Sequence, residues 1–391
     1  MTSQFSYRPL SSSEEATQLG AILSQCFVGA PNESQVYIDR LGIENFRLLQ
    51  TDRIIGGLAL ISMRQWWGGQ WVPMTGIASV GVAPNHRGSG AALALLQQML
   101  RELYTTGMPL SVLYPATQRL YRKVGYEQGG TYNSWSIAPD KIQVQERQLP
   151  IHTVNSIAIS TFVQLQHQYA QRNNGHLDRH PAIWQGFLQP KADQPLHAYV
   201  IGAIDSPQGY VIFNQRRSNG KATLRIRDWA VLSAEAGRSL WAFLVDHRSM
   251  IDKIYWQGAA IDPFTLLLPE QFHQMESRMI WLLRIVNLRS ALEKRGYPSG
   301  VEAELHLDVR DDLLPDNTGK FILAISQRQG YITPGGSGAM RLDIRGLAPL
   351  YTGLYTPDQL QQMGVLDAPE ATLRVASQIF AGASPWLPDF F

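Results

Sequence analysis

The stretch of this chain best suited to chemistry is Val80-Gly81-Val82-Ala83-Pro84-Asn85-His86-Arg87-Gly88-Ser89-Gly90-Ala91-Ala92-Leu93, followed at once by Ala94-Leu95-Leu96. A β-branched, alternating run stops at a proline, crosses a basic loop with glycines and becomes an alanine- and leucine-rich helix. Small residues stand where a backbone has to approach something closely. The first turn of such a helix offers unpaired N–H groups and the positive end of a dipole, which together suit a pyrophosphate. The spacing is neither the Walker pattern, which needs Gly-Lys-Ser/Thr, nor Gly-x-Gly-x-x-Gly. A second group, Leu120-Tyr121-Arg122-Lys123-Val124-Gly125-Tyr126, puts a phenol on a brief helix that stops at glycine. A third is the aromatic end Trp386-Leu387-Pro388-Asp389-Phe390-Phe391, whose rings invite burial against the usual fraying of a chain end.

Other signals point to no chemistry. His176-Leu177-Asp178-Arg179-His180 spaces two histidines for zinc on one helix face, but Leu177 stands where a zincin has glutamate. Asn173-Asn174-Gly175 before it and Pro181 after it predict a loop with a short turn, so no metal is expected. Gly335-Gly336-Ser337-Gly338 is followed by Ala339 rather than the glycine of a nucleophile elbow, and predicts a hairpin loop. The single cysteine, Cys26, lies in an apolar run and predicts a buried helix residue; it excludes an internal disulfide or a multi-cysteine metal site.

These groups need a scaffold. At 391 residues the chain is too long for one ordinary core and predicts two or three domains. With 45% hydrophobic and 17% charged residues it is globular rather than disordered. The net charge of +2, without a run of either sign, argues against nucleic acid as a partner. The N-terminus has no apolar leader-like core, and no stretch approaches ~20 apolar residues, so the expectation is a cytoplasmic protein without a membrane partner.

Residues 1–148 alternate helix and strand patterns. Serines 11–13 cap a helix running to Phe27, with Glu14 and Glu15 in its first turn, and another helix covers 34–41. Strands are predicted at 5–10, 46–49, 54–63, 72–82 and 110–114, and the long helix at 91–104. Residues 149–284 repeat that order coarsely: helix 157–169, strands 199–202, 209–213 and 224–232, helix 239–247. There Trp229 to Arg238 takes the place of the glycine loop, and Glu235 would repel a pyrophosphate, which predicts a degenerate copy without cofactor. Residues 285–391 run from an amphipathic helix at 285–292 through strands 303–309, 319–326 and 339–344 to helices 345–353, 356–364 and 369–380, the last with Pro369 in its first turn.

Arg-x-x-Gly-x-Ala, at Arg87, Gly90 and Ala92, resembles the acyl-CoA loop of the GNAT superfamily of N-acetyltransferases. A GNAT domain, a degenerate second GNAT-like domain and a sterol-carrier-like tail, in that order, resemble the Eis (enhanced intracellular survival) family. The resemblance spans nearly the whole chain and rests on Val80 to Leu93, Leu120 to Tyr126 and Trp386 to Phe391; Gln118 and Arg119 stand where the family often has glycines. It implies an α+β fold of two tandem GNAT-like domains and a sterol-carrier-protein-like domain. It also implies acetyl-CoA as co-substrate, primary amines such as those of aminoglycosides as acceptors, and a homohexamer.

The resemblance further implies roles. Val80, Gly81 and Val82 would pair with the pantetheine, with the Val82 N–H polarising the thioester carbonyl. Gly88, Ser89, Gly90, Ala91, Ala92 and Leu93 would wrap the pyrophosphate, Arg87 would add charge, and Ala116 and Thr117 would make a second cofactor contact. Tyr121 matches the general acid and the C-terminal carboxylate of Phe391 the general base. By their residues alone, Tyr121 could equally pack on the sheet, and Tyr126 reads as core. Glu33, Trp66, Trp67 and Asp389 are acceptor-pocket candidates by position, with one ring of Trp66-Trp67 expected buried and the other exposed. Two other classes stay open: a lipid-carrier or interaction protein with a vestigial first domain, and a tandem-GNAT aminoacyltransferase.

Overall fold

A computed structural model of the protein describes residues 5–28, 32–155, 157–188 and 194–391. The chain divides into two compact units. One comprises Met1–Gly129, Trp281–Gly382 and Phe391; the other comprises Gly130–Ile280 and Ala383–Phe390.

In the first unit the sheet runs Ser6–Pro9, Phe46–Gln50, Ile54–Trp67, Gln70–Val82, Leu110–Leu113 and then Leu282 to Ile285. Ile54–Trp67 and Gln70–Val82 form a long hairpin whose two turn residues, Gly68 and Gly69, both have positive φ, as a tight right-twisted turn needs. Helix Ser13–Phe27 opens as expected, with the Ser12 side chain accepting from the Glu15 N–H at 3.2 Å. Helix Ala91–Thr105 buries Leu95, Leu96, Met99, Leu100 and Leu103, one apolar stripe at helical spacing, against this sheet.

The same unit holds a second sheet, ordered Gln329–Pro334, Gly319–Ser326, Ala303–Arg310, Met340–Asp343, Leu366–Asp367. Helices Leu288–Lys294, Ile344–Thr352, Pro357–Gln362 and Glu370–Ile379 accompany it. The expected helix at 285–292 is shorter: Ile285 still belongs to strand Gln274–Ile285, and Asn287 caps the helix by accepting from the Ser290 N–H at 2.9 Å. Pro369 is the residue before the last helix rather than part of its first turn. The Gly335 to Gly338 loop is not a hairpin, because Gln329–Pro334 pairs with Gly319–Ser326 while Met340–Asp343 pairs in parallel with Ala303–Arg310.

In the second unit the sheet runs from the latter part of Glu127–Ile137 through Lys253–Gly258, Lys221–Val231, Ser206–Ser218 and Leu196–Ala203 to Ile151–Thr153. Helices Ile159–Gln171, Pro181–Leu188 and Ala234–Val245 complete it. The last begins five residues before the expected position, since the Ser233 side chain accepts from the Ala236 N–H at 3.2 Å and sets the start there. Among the described residues no helix is long and apolar enough to cross a membrane.

Candidate active site

Two strands of the first unit part company at its centre. Gln70–Val82 and Leu110–Leu113 pair in parallel from Met74↔Leu110 to Ile77↔Leu113, and the ladder stops there. On the other edge of Gln70–Val82 the partners jump from Ala59↔Ala78 to Gly57↔Gly81, so Ser79 and Val80 together face Leu58. This is a β-bulge, with Ser79 at φ +52°, and it bends the strand away from its parallel neighbour. Beyond it, Val80, Gly81 and Val82 lie on one side of a slot. Ala116 and Thr117, exposed, follow the end of the other strand.

Hydrogen-bond alternation orients Val82. Ala83 N–H donates to the Ile55 carbonyl at 2.8 Å, so the next pair, Val82 and Gly56, is a non-bonded one. The Val82 N–H and C=O therefore point away from the Gly56 strand. The Val82 carbonyl accepts the Cys26 thiol at 3.3 Å. Cys26 is thus half-buried beside the slot rather than a core residue, with the Arg87 Nη2 3.9 Å from its sulfur.

The loop after this strand is exposed from Arg87 to Gly90. Gly90 is left-handed at φ +87°, and nothing lies within 4 Å of where its Cβ would stand, so backbone conformation rather than crowding asks for glycine. No side chain caps helix Ala91–Thr105. The N–H groups of Ala91, Ala92 and Leu93 are left to whatever binds at that end. Ser89 Oγ donates instead to the His86 carbonyl at 2.7 Å.

Tyr121 lies on helix Gln118–Arg122, which closes at Gly125 (φ +91°). Its ring is buried, its hydroxyl has no hydrogen-bond partner among the described residues, and burial pushes its pKa up to about 12. Tyr126 packs edge-on against it at 5.9 Å, shares a 2.6 Å hydrogen bond with Ser111 and is fully buried, the core residue expected.

Phe391 was reached by the sequence, its seat was not. The ring lies over Gly76, where an added Cβ would meet it at 2.6 Å and the Met63 methyl at 2.5 Å, and stands edge-on to Tyr114 at 5.7 Å. Glycine inside a strand is the signal that something approaches closely there. The preceding residues belong to the second unit. Trp386 N–H donates to Asn174, Leu387 N–H to Thr131, and Thr131 N–H to Pro385.

The acceptor candidates differ in their surroundings. Trp66 and Trp67 are both buried, because Trp67 also packs on Trp281 and Tyr351 from the C-terminal part of the unit; the exposed ring is Trp71, under Arg64 at 4.5 Å. Glu33 is exposed at the start of helix Glu33–Leu41. Asp389 is fully buried in the second unit and accepts from Arg179 Nε at 2.7 Å, so its carboxylate is engaged by protein.

The second unit repeats the device with a different filling. Lys221–Val231 pairs in parallel with Lys253–Gly258 only from Thr223↔Lys253 to Arg225↔Tyr255, and a bulge falls at Arg227. Past that point Trp229 bridges the parted strands, donating to the Gln257 carbonyl at 3.0 Å with its ring 4.5 Å from Phe264. The helix that follows is capped by Ser233 and carries Glu235 in its first turn. The two histidines of residues 176–180 part ways. His176 is buried against Trp386 at 4.3 Å, while His180 accepts from the Ala182 N–H at the start of Pro181–Leu188.

This slot-and-helix geometry agrees with what the chain resembles. Residues 6–129 and 175–285 each match an acetyltransferase (GNAT) domain family, and residues 288–388 match a sterol carrier protein domain family. A GCN5-related N-acetyltransferase from Anabaena variabilis, known from its crystal structure, is 53% identical over 99% of this chain and 100% of its own, with a TM-score of 0.97. N-acetyltransferase Eis from Mycobacterium tuberculosis is 25% identical over 311 residues, 74% of this chain and 73% of its own. Eis1 from Mycobacterium abscessus shares the fold at a TM-score of 0.85, with 21% identity over 99% of this chain and 100% of its own. With two GNAT domains, a sterol-carrier-type domain and relatives of this kind, the chain belongs to the GCN5-related N-acetyltransferases and is an N-acetyltransferase of the Eis family.

Proposed function

We propose that the protein transfers the acetyl group of acetyl-CoA directly to a primary amine, at the slot of the first unit. The observation that carries this reading is the pairing of an open strand splay with an uncapped helix end in the same unit. Bound acetyl-CoA would supply the acyl group as a thioester. Val80 to Val82 would hold its amide-bearing arm as an added strand, and Arg87 with the N–H groups from Gly88 to Leu93 would hold its pyrophosphate. The Val82 N–H, turned into the slot, would stabilise charge on the carbonyl oxygen, and Ala116 and Thr117 would line the opposite side. Tyr121 stays a neutral phenol at working pH and would give its proton to the departing sulfur; the Phe391 carboxylate would take the proton from the attacking amine. The second unit, with its slot bridged by Trp229 and its helix capped by Ser233, is read as taking no cofactor.

The Eis resemblance extends the proposal to aminoglycoside- or polyamine-like acceptors, a division at residues 148 and 284, a cytoplasmic location and a homohexamer. The test is acetyl-CoA-dependent thiol release with an amine panel. Tyr121→Phe is expected to lower kcat by about 10²–10³-fold with the KM for acetyl-CoA kept. Two glycines added after Phe391 should do likewise, and full turnover in that folded, cofactor-binding variant would remove the terminal carboxylate from the mechanism.

A further inference from the structure

The second unit carries a cationic cluster that acetyl transfer does not use. On strand Lys221–Val231, Arg225 is exposed and Arg227 half-buried, and strand alternation puts both on the face shared with Tyr255 and Gln257 of the neighbouring strand. The Arg225 guanidinium stands 5.0 Å from the centre of the Tyr255 ring. Arg227 occupies the bulge and lines a small cleft whose wall also holds Gln257, His176, Trp229, Trp386 and the paired Arg179 and Asp228.

No carboxylate is paired with either arginine among the described residues, and Arg227 makes only a long contact, 3.4 Å, to the Gly186 carbonyl. Asp228, its neighbour in the chain, is taken up elsewhere: Arg179 donates to its two oxygens at 2.6 and 2.7 Å, and Tyr210 at 2.6 Å. Glu276 is likewise occupied, by Lys253 and Ser136, both at 2.6 Å. Burial, and then the charge of Arg225, press the Arg227 pKa below the usual arginine range. In the cleft wall His176 is 1% exposed, and its Nε2 has no hydrogen-bond partner among the described residues.

We infer that this cleft is an anion site, taking the carboxylate or phosphate group of a small molecule. The half-desolvated Arg227 guanidinium without a carboxylate is costly, and the forked donors of both arginines match either oxyanion. Gln257 and His176 add neutral polar groups, and the Trp386 and Trp229 rings offer the ligand's carbon body an apolar wall.

The experiment is calorimetric titration of the full chain with inorganic phosphate and, separately, with succinate, at an ionic strength fixed by chloride. Saturable binding of one or both is expected, the tighter of the two naming the oxyanion. Arg227→Gln and Arg225→Gln should each raise Kd at least tenfold, while Arg217→Gln, an exposed arginine on the adjacent strand, leaves it unchanged. Arg227→Lys keeps the charge and stem, covers the case of a glutamine variant that does not fold, and should raise Kd severalfold. No saturable binding of either anion, or equal weakening by Arg217→Gln, overturns the site.

Discussion

Tyr121 shows how much a residue's surroundings change what its type suggests. A free phenol near pKa ~10 would begin to ionise in mildly alkaline solution, but burial holds this one at about 12. The alkaline side of the kcat/KM profile is therefore expected to show no loss from Tyr121 up to pH 10. A fall centred near pH 9 that disappears in Tyr121→Phe would contradict this. The sign for stability follows. The folded-state pKa lies above the unfolded value, so the contribution is whole below pH ~10 and is lost as pH rises through about 12. Gly76 is the complementary case, a residue without a side chain that matters because of what it admits. Gly76→Ala would drive a methyl into the Phe391 ring and the Met63 tip. Met63 can swing its tip aside. The ring, held by Tyr114, has to shift, and a kcat loss of about tenfold with a melting point lowered by only a few degrees is expected. Tyr121, Phe391 and the Arg87 to Leu93 loop came forward as candidates through the family resemblance that their motifs carry. The seat of Phe391 did not, since it joins residues far apart in the sequence, Met63, Gly76 and Tyr114 against the last residue.

At the scale of elements, sequence reading did best where a cap or a turn marks the boundary. Ser12 and Gly125 stand where expected, because local hydrogen bonds and φ preferences decide such positions. It did worst on two strands, Glu127–Ile137 and Gln274–Ile285. Neither announces itself by clean alternation. The first mixes glycine, asparagine and serine with its aromatics, and the second is polar for its first half. The Ser79 bulge was equally hidden, since an extra residue on a strand leaves no compositional mark. The loop before helix Ala91–Thr105 makes its own prediction. Gly90→Ala has ample room but must adopt a left-handed backbone, at about 1 kcal/mol. The helix should survive, and the KM for acetyl-CoA should rise severalfold with kcat nearly kept. A change in kcat alone would show that the loop does not hold the cofactor.

Across the whole molecule, the sequence disclosed the order of its parts but not the polar interior of the second unit. Arg179 is fully buried, serves both Asp228 and Asp389, and lies over the rings of Trp184 and Phe187 at 4.6 Å. Arg179→Met would strand two carboxylates in apolar surroundings and should cost about 3–5 kcal/mol in denaturant unfolding. Adding Asp389→Asn should recover part of that loss. Burial, with Asp228 close by, already raises the Asp389 pKa to about 6. Its contribution to stability is therefore full below pH ~4 and declines as pH rises through about 6, and Asp389→Asn should flatten that part of the melting curve against pH.

The bridging of the second splay by Trp229 has a genetic consequence. Two stretches at equivalent places in a duplicated fold answer to different kinds of selection. In a saturation library scored both for abundance and for turnover, residues 80–93 should tolerate changes that leave abundance intact and remove turnover. Residues 229–238 should do the reverse, with turnover falling only as far as abundance does. One copy would carry the record of a ligand, and the other the record of a core.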